Sequence, residues 1–164
     1  MDKPAESITI KPIGIIHSPY KQTKGMPIQG AFKPGSQAWI ELQPQYTAGL
    51  KDLDSFSHCI LLYLFHKSDQ VRLLAKPFLE DQLHGMFAMR SPHRPNHIGV
   101  SVVKIENITG CQLHFSEVDM LDQTPVLDIK PYVRYFDMRD NVVSGWIDKH
   151  FQNIDGIPGK VILK

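Results

Sequence analysis

The sequence is poor in cysteine. Cys59 and Cys111 are the only two in 164 residues, too few for a disulfide framework or a multi-thiolate zinc site. Both read as small buried hydrophobes. Long apolar runs are missing too. The first thirty residues hold none of signal-peptide length, and no stretch approaches the ~20 apolar residues of a bilayer-spanning helix. A soluble, cytoplasmic protein without a membrane partner is therefore expected. No charge sign dominates: 18 Lys and Arg face 17 Asp and Glu, for a net charge of +1. Binding to nucleic acid through bulk charge is excluded, so such a role must rest on a local patch. The common site signatures are absent as well. There is no G-x-G-x-x-G and no G-x-x-x-x-G-K-[ST], which excludes a nucleotide site of Rossmann or P-loop type. The eight histidines form no H-E-x-x-H, and neither Ser91 nor Ser101 sits in a nucleophile elbow.

Turn-forming residues are plentiful, with twelve prolines and eleven glycines. The length fits one domain with one full core, and the turn content favours a β-rich chain. Strands are expected at Ile8–Ile16, with Pro12 at an edge position, at Gln37–Leu42, Ser57–His66, Ile98–Asn107 and Gln112–Val118. Thr109-Gly110 reads as a turn. Tyr46, Leu50 and Leu53 fall at helical spacing, Trp146–Phe151 reads as a short helix, and Gly159–Leu163 as a last strand.

Polar residues gather in three proline-punctuated clusters. The fullest lies in FAMRSPHRPNHIGVSVV, residues 87–103, where Arg90, His93, Arg94, Asn96 and His97 surround Pro92 and Pro95. Each proline fixes its own φ and holds its predecessor extended. This is either an ordinary solvated loop or a stiff anion-binding loop on a strand. His93 and His97 are four apart, but Pro95 breaks a helix between them and no acidic ligand is near in sequence, so no metal is expected. MPIQGAF, residues 26–32, adds Gln29 and a glycine that lets backbone approach a ligand. Residues 116–132 add Asp119, Asp122, Asp128 and Lys130, which form turns as often as they bind ligands. Together the clusters describe a site for a polar ligand with an anionic group and a hydroxylated sugar.

Four ordered segments, IGIIHSPYK with MPIQG (13–30), FSHCILLYLFH (56–66), FAMRSPHRPNHIGVSVV (87–103) and DMLDQTPVLDIKPY (119–132), make the chain resemble the TsaA-like family. The resemblance implies a mainly β fold, a compact antiparallel β-barrel with a few short helices, unlike the Rossmann type. It spans about residues 8–135. Residues 1–136 would form the barrel and residues 137–164 a short C-terminal tail packing on it. The implied activity is S-adenosylmethionine-dependent N6-methylation of threonylcarbamoyladenosine at position 37 of tRNA, by a homodimer. The alternatives are a methyltransferase on another substrate and an S-adenosylmethionine-binding or tRNA-binding module without transfer activity. Carried over residue by residue, the cofactor would touch Gln29, Gly30, Ala31, Phe32, His66, Lys67, Arg90, Val100, Ser116, Glu117, Val118 and Asp119. Asp128, Asp119 and His66 are the candidate proton acceptors, with Asp128→Ala expected to abolish transfer and spare cofactor binding. Arg94, Lys130 and Tyr132 would meet RNA. Two positions depart from the family's pattern: Gln123 replaces the glycine of D-x-x-D-G-T-P, and Ile28 stands where a basic residue is common.

Overall fold

The computed structural model describes residues 7–151. Its strands are β1 (Gly14–His17), β2 (Gln37–Leu42), β3 (His58–Leu64), β4 (Leu74–Ala75), β5 (His84–Gly85), β6 (Ile98–Thr109), β7 (Gln112–Ser116) and β8 (Thr124–Pro131). Two one-turn helices follow, α1 (Arg134–Asp137) and α2 (Asp148–Phe151). Six strands close into a barrel in the order β1-β2-β7-β6-β3-β8, all neighbours antiparallel, and β4 and β5 form a separate two-stranded ribbon. The expected antiparallel barrel is the observed fold.

The period-two pattern explains the barrel. Ala38, Ile40 and Leu42 of β2, Cys59, Leu61 and Tyr63 of β3, and Leu113 and Phe115 of β7 point inward and are buried. Truncating one of them, such as Leu61 or Phe115, removes about 2–5 kcal/mol. β3 reads as a continuous apolar run because its outward residues, Ile60, Leu62 and Leu64, are apolar as well. They share their outer face with Ile98, Val100 and Val102 of β6, which remain 38%, 41% and 42% exposed.

The boundaries differ from the sequence expectation where backbone donors decide. The first strand begins at Gly14, not Ile8, and it is no edge: β1 pairs with β2 on one side and β8 on the other. Pro12 has no N–H to contribute, and pairing starts where the Ile13 N–H reaches the Val126 carbonyl at 2.8 Å. The helical spacing at 46–53 resolves into two 3₁₀ turns, Pro44–Leu50 and Leu53–Ser55, separated at Asp52 with φ of 65°. β3 stops at Leu64, β6 runs on to Thr109, and β7 ends at Ser116. Cys59 is buried as expected, whereas Cys111 is only half-buried, at the exposed turn after Gly110. The strand expected at 159–163 lies outside the described residues. No helix among the described residues is long and apolar enough to cross a membrane.

Strand direction places the loops. β1, β3 and β7 end, and β2, β6 and β8 begin, at one mouth of the barrel. The connections 18–36, 65–97 and 117–123 therefore all open there. β7 and β8 stand opposite each other in the ring, so residues 117–123 cross the mouth and plug it with Val118, Asp119, Met120 and Asp122, all buried. The other end carries the 3₁₀ turns, the Gly110 turn and Tyr132.

Candidate functional site

The crossing segment is fastened to both long loops. The buried Asp119 carboxylate accepts the Gly30 N–H at 2.8 Å on one oxygen and the Ser101 hydroxyl at 2.6 Å on the other. The Tyr63 hydroxyl lies 3.0 Å from Ser101 Oγ, and a Cβ at Gly99 would stand 2.2 Å from the Tyr63 ring, so β6 has a glycine where that ring must lie. Burial pushes the Asp119 carboxyl up to about 6, against the pull of the Ser101 and Gly30 hydrogen bonds. Gly30 itself is wedged against the crossing segment: a Cβ there would stand 1.7 Å from the Glu117 carbonyl oxygen. The Ser36 hydroxyl then accepts the Val118 N–H at 2.8 Å.

Asp122 holds the next turn. Burial works against its charge, but the Lys21 ammonium at 2.6 Å and the Ser18 amide at 2.9 Å bring its carboxyl down to about 2. Glu117 and Gln123, at either end of the crossing, adopt φ of 66° and 64°. Gln123 thus occupies the left-handed position for which glycine is suited, at a cost of about 1 kcal/mol. Gln123→Gly is expected to raise stability by up to about 1 kcal/mol, less the entropy glycine adds to the unfolded chain. Urea titration checks it, and a destabilised variant would show that the Gln123 contacts to Asp122 and His17 outweigh the strain.

Two polar atoms in this region lack a partner among the described residues, the Tyr20 hydroxyl and His66 Nε2, both buried. Such atoms cost free energy unless something meets them. His66 Nδ1 lies 3.4 Å from Thr124 Oγ1, whose own proton goes to the Leu121 carbonyl at 2.7 Å. Thr124 can therefore only accept from His66, a long contact that favours the proton on Nδ1 and a lone pair on Nε2. Burial, with the neighbouring Lys67 ammonium, lowers the pKa of this imidazole below its ordinary value, which favours the neutral form. Arg90 donates one N–H to Gln29 Oε1 at 2.8 Å, and its exposed guanidinium has donors left for an anion.

The structure brings Gln29, Gly30, Ala31, Phe32, His66, Lys67, Arg90 and the run Ser116, Glu117, Val118 and Asp119 to one mouth. It does not bring Val100, Asp128, Lys130 or Tyr132 there. Val100 and Asp128 lie on the outer wall, on either side of Leu62 in register. A register shift between Leu62 and Tyr63 turns Asp128 outward, where it pairs with Lys130 at 2.7 Å and accepts the Ile129 N–H. Lys130 and Tyr132 sit toward the far end; the rise of β3 from His58 to Tyr63 is about 17 Å. Arg94 is in the mouth but turns its guanidinium onto its own loop, at the Met89 and Ser91 carbonyls. His93 and His97 also serve the loop, at Ser68 Oγ and the Pro92 carbonyl. Among the described residues no group of His, Cys, Asp and Glu is placed to hold a metal ion. Sequence reasoning missed Tyr20 and Ser101. The former lies within the HSPYK motif, which was the available signal; nothing marks Ser101 except its alternation with Gly99 and Val103.

The groups at the mouth fit S-adenosylmethionine: a guanidinium for a carboxylate, carboxylates beside a cation, and two unpartnered polar atoms in a buried setting. Comparison with known proteins points the same way. A family model described as the tRNA-methyltransferase O N-terminal domain matches residues 15–138. A protein of Pyrococcus abyssi named "Probable S-adenosyl-L-methionine-binding protein" is 46% identical over 148 residues, covering 90% of this chain and 80% of its own. A human protein named tRNA (adenine(37)-N6)-methyltransferase is 34% identical, covering 94% of this chain but 37% of its own. The crystal structure of TrmO from Pseudomonas aeruginosa superposes with a TM-score of 0.73 at 37% identity, over 85% of this chain and 62% of that one. The chain thus spans most of the archaeal relative but well under two thirds of the human one. On the matched residues, the identity and the shared barrel, this chain belongs to the tRNA-methyltransferase O N-terminal domain family.

Proposed function

We propose that this chain is an S-adenosylmethionine-dependent methyltransferase that modifies N6 of adenosine 37 in tRNA, with threonylcarbamoyladenosine as the acceptor, in the cytoplasm. The observation that carries the proposal is the convergence of three ligand loops at one mouth, fastened by Asp119 and edged by the free groups of Tyr20, His66 and Arg90. When bound, the cofactor supplies an electrophilic methyl group on a sulfonium sulfur. The protein's own part is binding, orientation and removal of one proton. Arg90 suits the cofactor carboxylate. Asp119 holds the Gln29–Phe32 loop against β6. His66 takes the proton that leaves the acceptor nitrogen, because its neutral form is favoured, with the lone pair on Nε2.

Val100 and Asp128 enter through a homodimer. They lie on the outer wall, on either side of Leu62 in register and away from the groups at the mouth, which supports a site shared between two copies. The exposed apolar face of Ile98, Val100 and Val102 suits pairing with a second copy. That pairing would carry Asp128 of one subunit to the groove of the other.

Radiolabelled methyl transfer to tRNA tests the activity, and calorimetric titration tests cofactor binding. Unchanged nucleoside profiles in a deletion strain would remove the tRNA reading. Binding without transfer would instead favour the non-catalytic module. His66→Gln is expected to lower the transfer rate at least ~100-fold with cofactor affinity changed less than ~10-fold. In the unmutated protein the acid limb of the rate profile should fall below the ordinary histidine value of 6.5, since burial lowers this group. Asp128→Ala is expected to lose transfer and keep binding. Mixing it with Arg90→Ala should restore about a quarter of the activity, because half the dimers are hybrids with one intact site each. No recovery on mixing, with dimers present, would place each site within one chain.

A further inference from the structure

The connection 65–97 carries His66, Lys67 and Arg90, yet its only regular structure is the two-residue ribbon β4–β5 and one 3₁₀ turn, Met86–Ala88. His93, Arg94 and His97 hold its second half from within, and a connection this long with so little regular structure gains from support outside it as well. The chain after β8 supplies that support. It leaves the far end of the barrel at α1 and returns to the mouth at residues 145–151.

There the contacts form a closed circuit. Glu80, whose side chain is 9% exposed, meets His84 on one carboxylate oxygen and both Lys149 and His150 on the other, His150 at 2.8 Å. The hydrogen bonds from Lys149 and His84 lead in holding its carboxyl down to about 2. The Trp146 indole stacks on His84 at 4.6 Å and 19°, and its N–H donates to the Ala88 carbonyl at 2.9 Å. Two residues further on, Arg90 reaches Gln29. From the tail's other side, the Phe151 ring stacks on Phe32 at 5.8 Å and 12°. The tail therefore touches both loops that supply the cofactor groups, Gln29–Phe32 and Met86–Arg90. The barrel core includes none of these residues, so their packing serves the loops. Residues 145–151 also lie beyond the segment that the family model matches.

We propose that Trp146–Phe151 is a strap that clamps the two cofactor loops together, with Glu80 as its anchor, and so sets cofactor affinity. Glu80, Trp146 and Phe151 are positioning residues. They touch neither reacting atom, and the proposal rests on the cofactor reading above.

Two measurements on the full chain test it. With Trp39→Phe as background, Trp146 is the one remaining tryptophan, and acrylamide quenching reports whether the strap is docked. Glu80→Gln is expected to raise the quenching constant at least twofold. Calorimetric titration of S-adenosylmethionine should then give a dissociation constant about tenfold higher in Glu80→Gln and in Phe151→Ala, and near the unmutated value in Phe151→Tyr, which keeps the stack. Single-turnover transfer at saturating cofactor should stay within about threefold of the unmutated rate, separating loop positioning from chemistry. A released Trp146 with unchanged cofactor affinity overturns the strap. An unchanged quenching constant overturns Glu80 as its anchor. No binding by the unmutated chain overturns the cofactor reading itself, and is seen before any variant is made.

Discussion

Gly30→Ala is expected to abolish cofactor binding, weakening it at least ~100-fold, and to lower the melting temperature by roughly 5–10 °C. The added Cβ would stand 1.7 Å from the Glu117 carbonyl oxygen, 2.3 Å from its carbonyl carbon and 3.1 Å from the Val118 nitrogen. These are backbone atoms of the crossing segment, so no side chain can swing aside. The loop or the crossing must move, and either movement breaks the 2.8 Å hydrogen bond from Gly30 N–H to Asp119. The lost bond leaves a buried carboxylate oxygen unmet, which adds about 1–3 kcal/mol. Gly49→Ala is the control. A Cβ there meets nothing within 4 Å, and both folding and binding should be unchanged. The measurements are calorimetric titration with S-adenosylmethionine and thermal unfolding of both variants. A Gly30→Ala protein that binds within threefold of the unmutated affinity would show that the 29–32 loop lies outside the binding site.

Much of this mouth is legible in the sequence because its chemistry is local. Proline and glycine mark where strands stop, and polar residues crowd beside them, so the three clusters at 26–32, 87–100 and 116–132 could be read before any fold was known. Their meeting at one end follows from the antiparallel order, which alternation alone cannot supply. Asp128 shows the limit. Strict alternation from Thr124 and Val126 would aim it inward, but the register shift against β3 turns it onto the outer wall. A bulge depends on cross-strand partners and leaves no trace in its own strand's pattern. The apolar run of β3 hides a second fact in the same way. Ile60 and Leu62 look like core, yet they face outward and join an exposed apolar stripe. The guanidinium of Arg94, a residue the resemblance assigns to RNA, also closes its own loop at the Met89 and Ser91 carbonyls, a contact that only the folded loop reveals. The strap left the least signal of all. Glu80, His84, Trp146 and His150 are ordinary singly, and only the return of the chain to the mouth joins them.

Asp119 separates a structural carboxylate from a reacting one, and its variants should differ in kind. Asp119→Ala leaves both the Gly30 N–H and the Ser101 hydroxyl without their acceptor. The expected loss is about 3–5 kcal/mol of stability together with cofactor binding. Asp119→Asn keeps the shape but offers one acceptor where two are needed. With the amide oxygen on the Gly30 N–H, its N–H₂ replaces the oxygen to which Ser101 donates, so the Ser101 hydroxyl must turn its proton to Tyr63 and accept instead, and cofactor binding should weaken about tenfold. The pH dependence has a definite sign. Burial raises this carboxyl from 3.8 to about 6 in the folded protein. Folding therefore favours the protonated form. The group's contribution is fully present below about pH 4 and is lost as pH rises through about 6, a swing of about 3 kcal/mol. Asn cannot titrate, so Asp119→Asn should remove this part of the slope between pH 4 and 6, and its deficit against the unmutated protein should shrink toward pH 7. Urea titrations at pH 4, 5, 6 and 7 measure that difference, and parallel curves would show the carboxyl to be unperturbed. Transfer at saturating cofactor completes the test. If Asp119 only fastens Gly30 to Ser101, Asp119→Asn transfers methyl within about threefold of the unmutated rate once the groove is filled. If it takes the proton instead of His66, the rate falls at least ~100-fold however much cofactor is supplied.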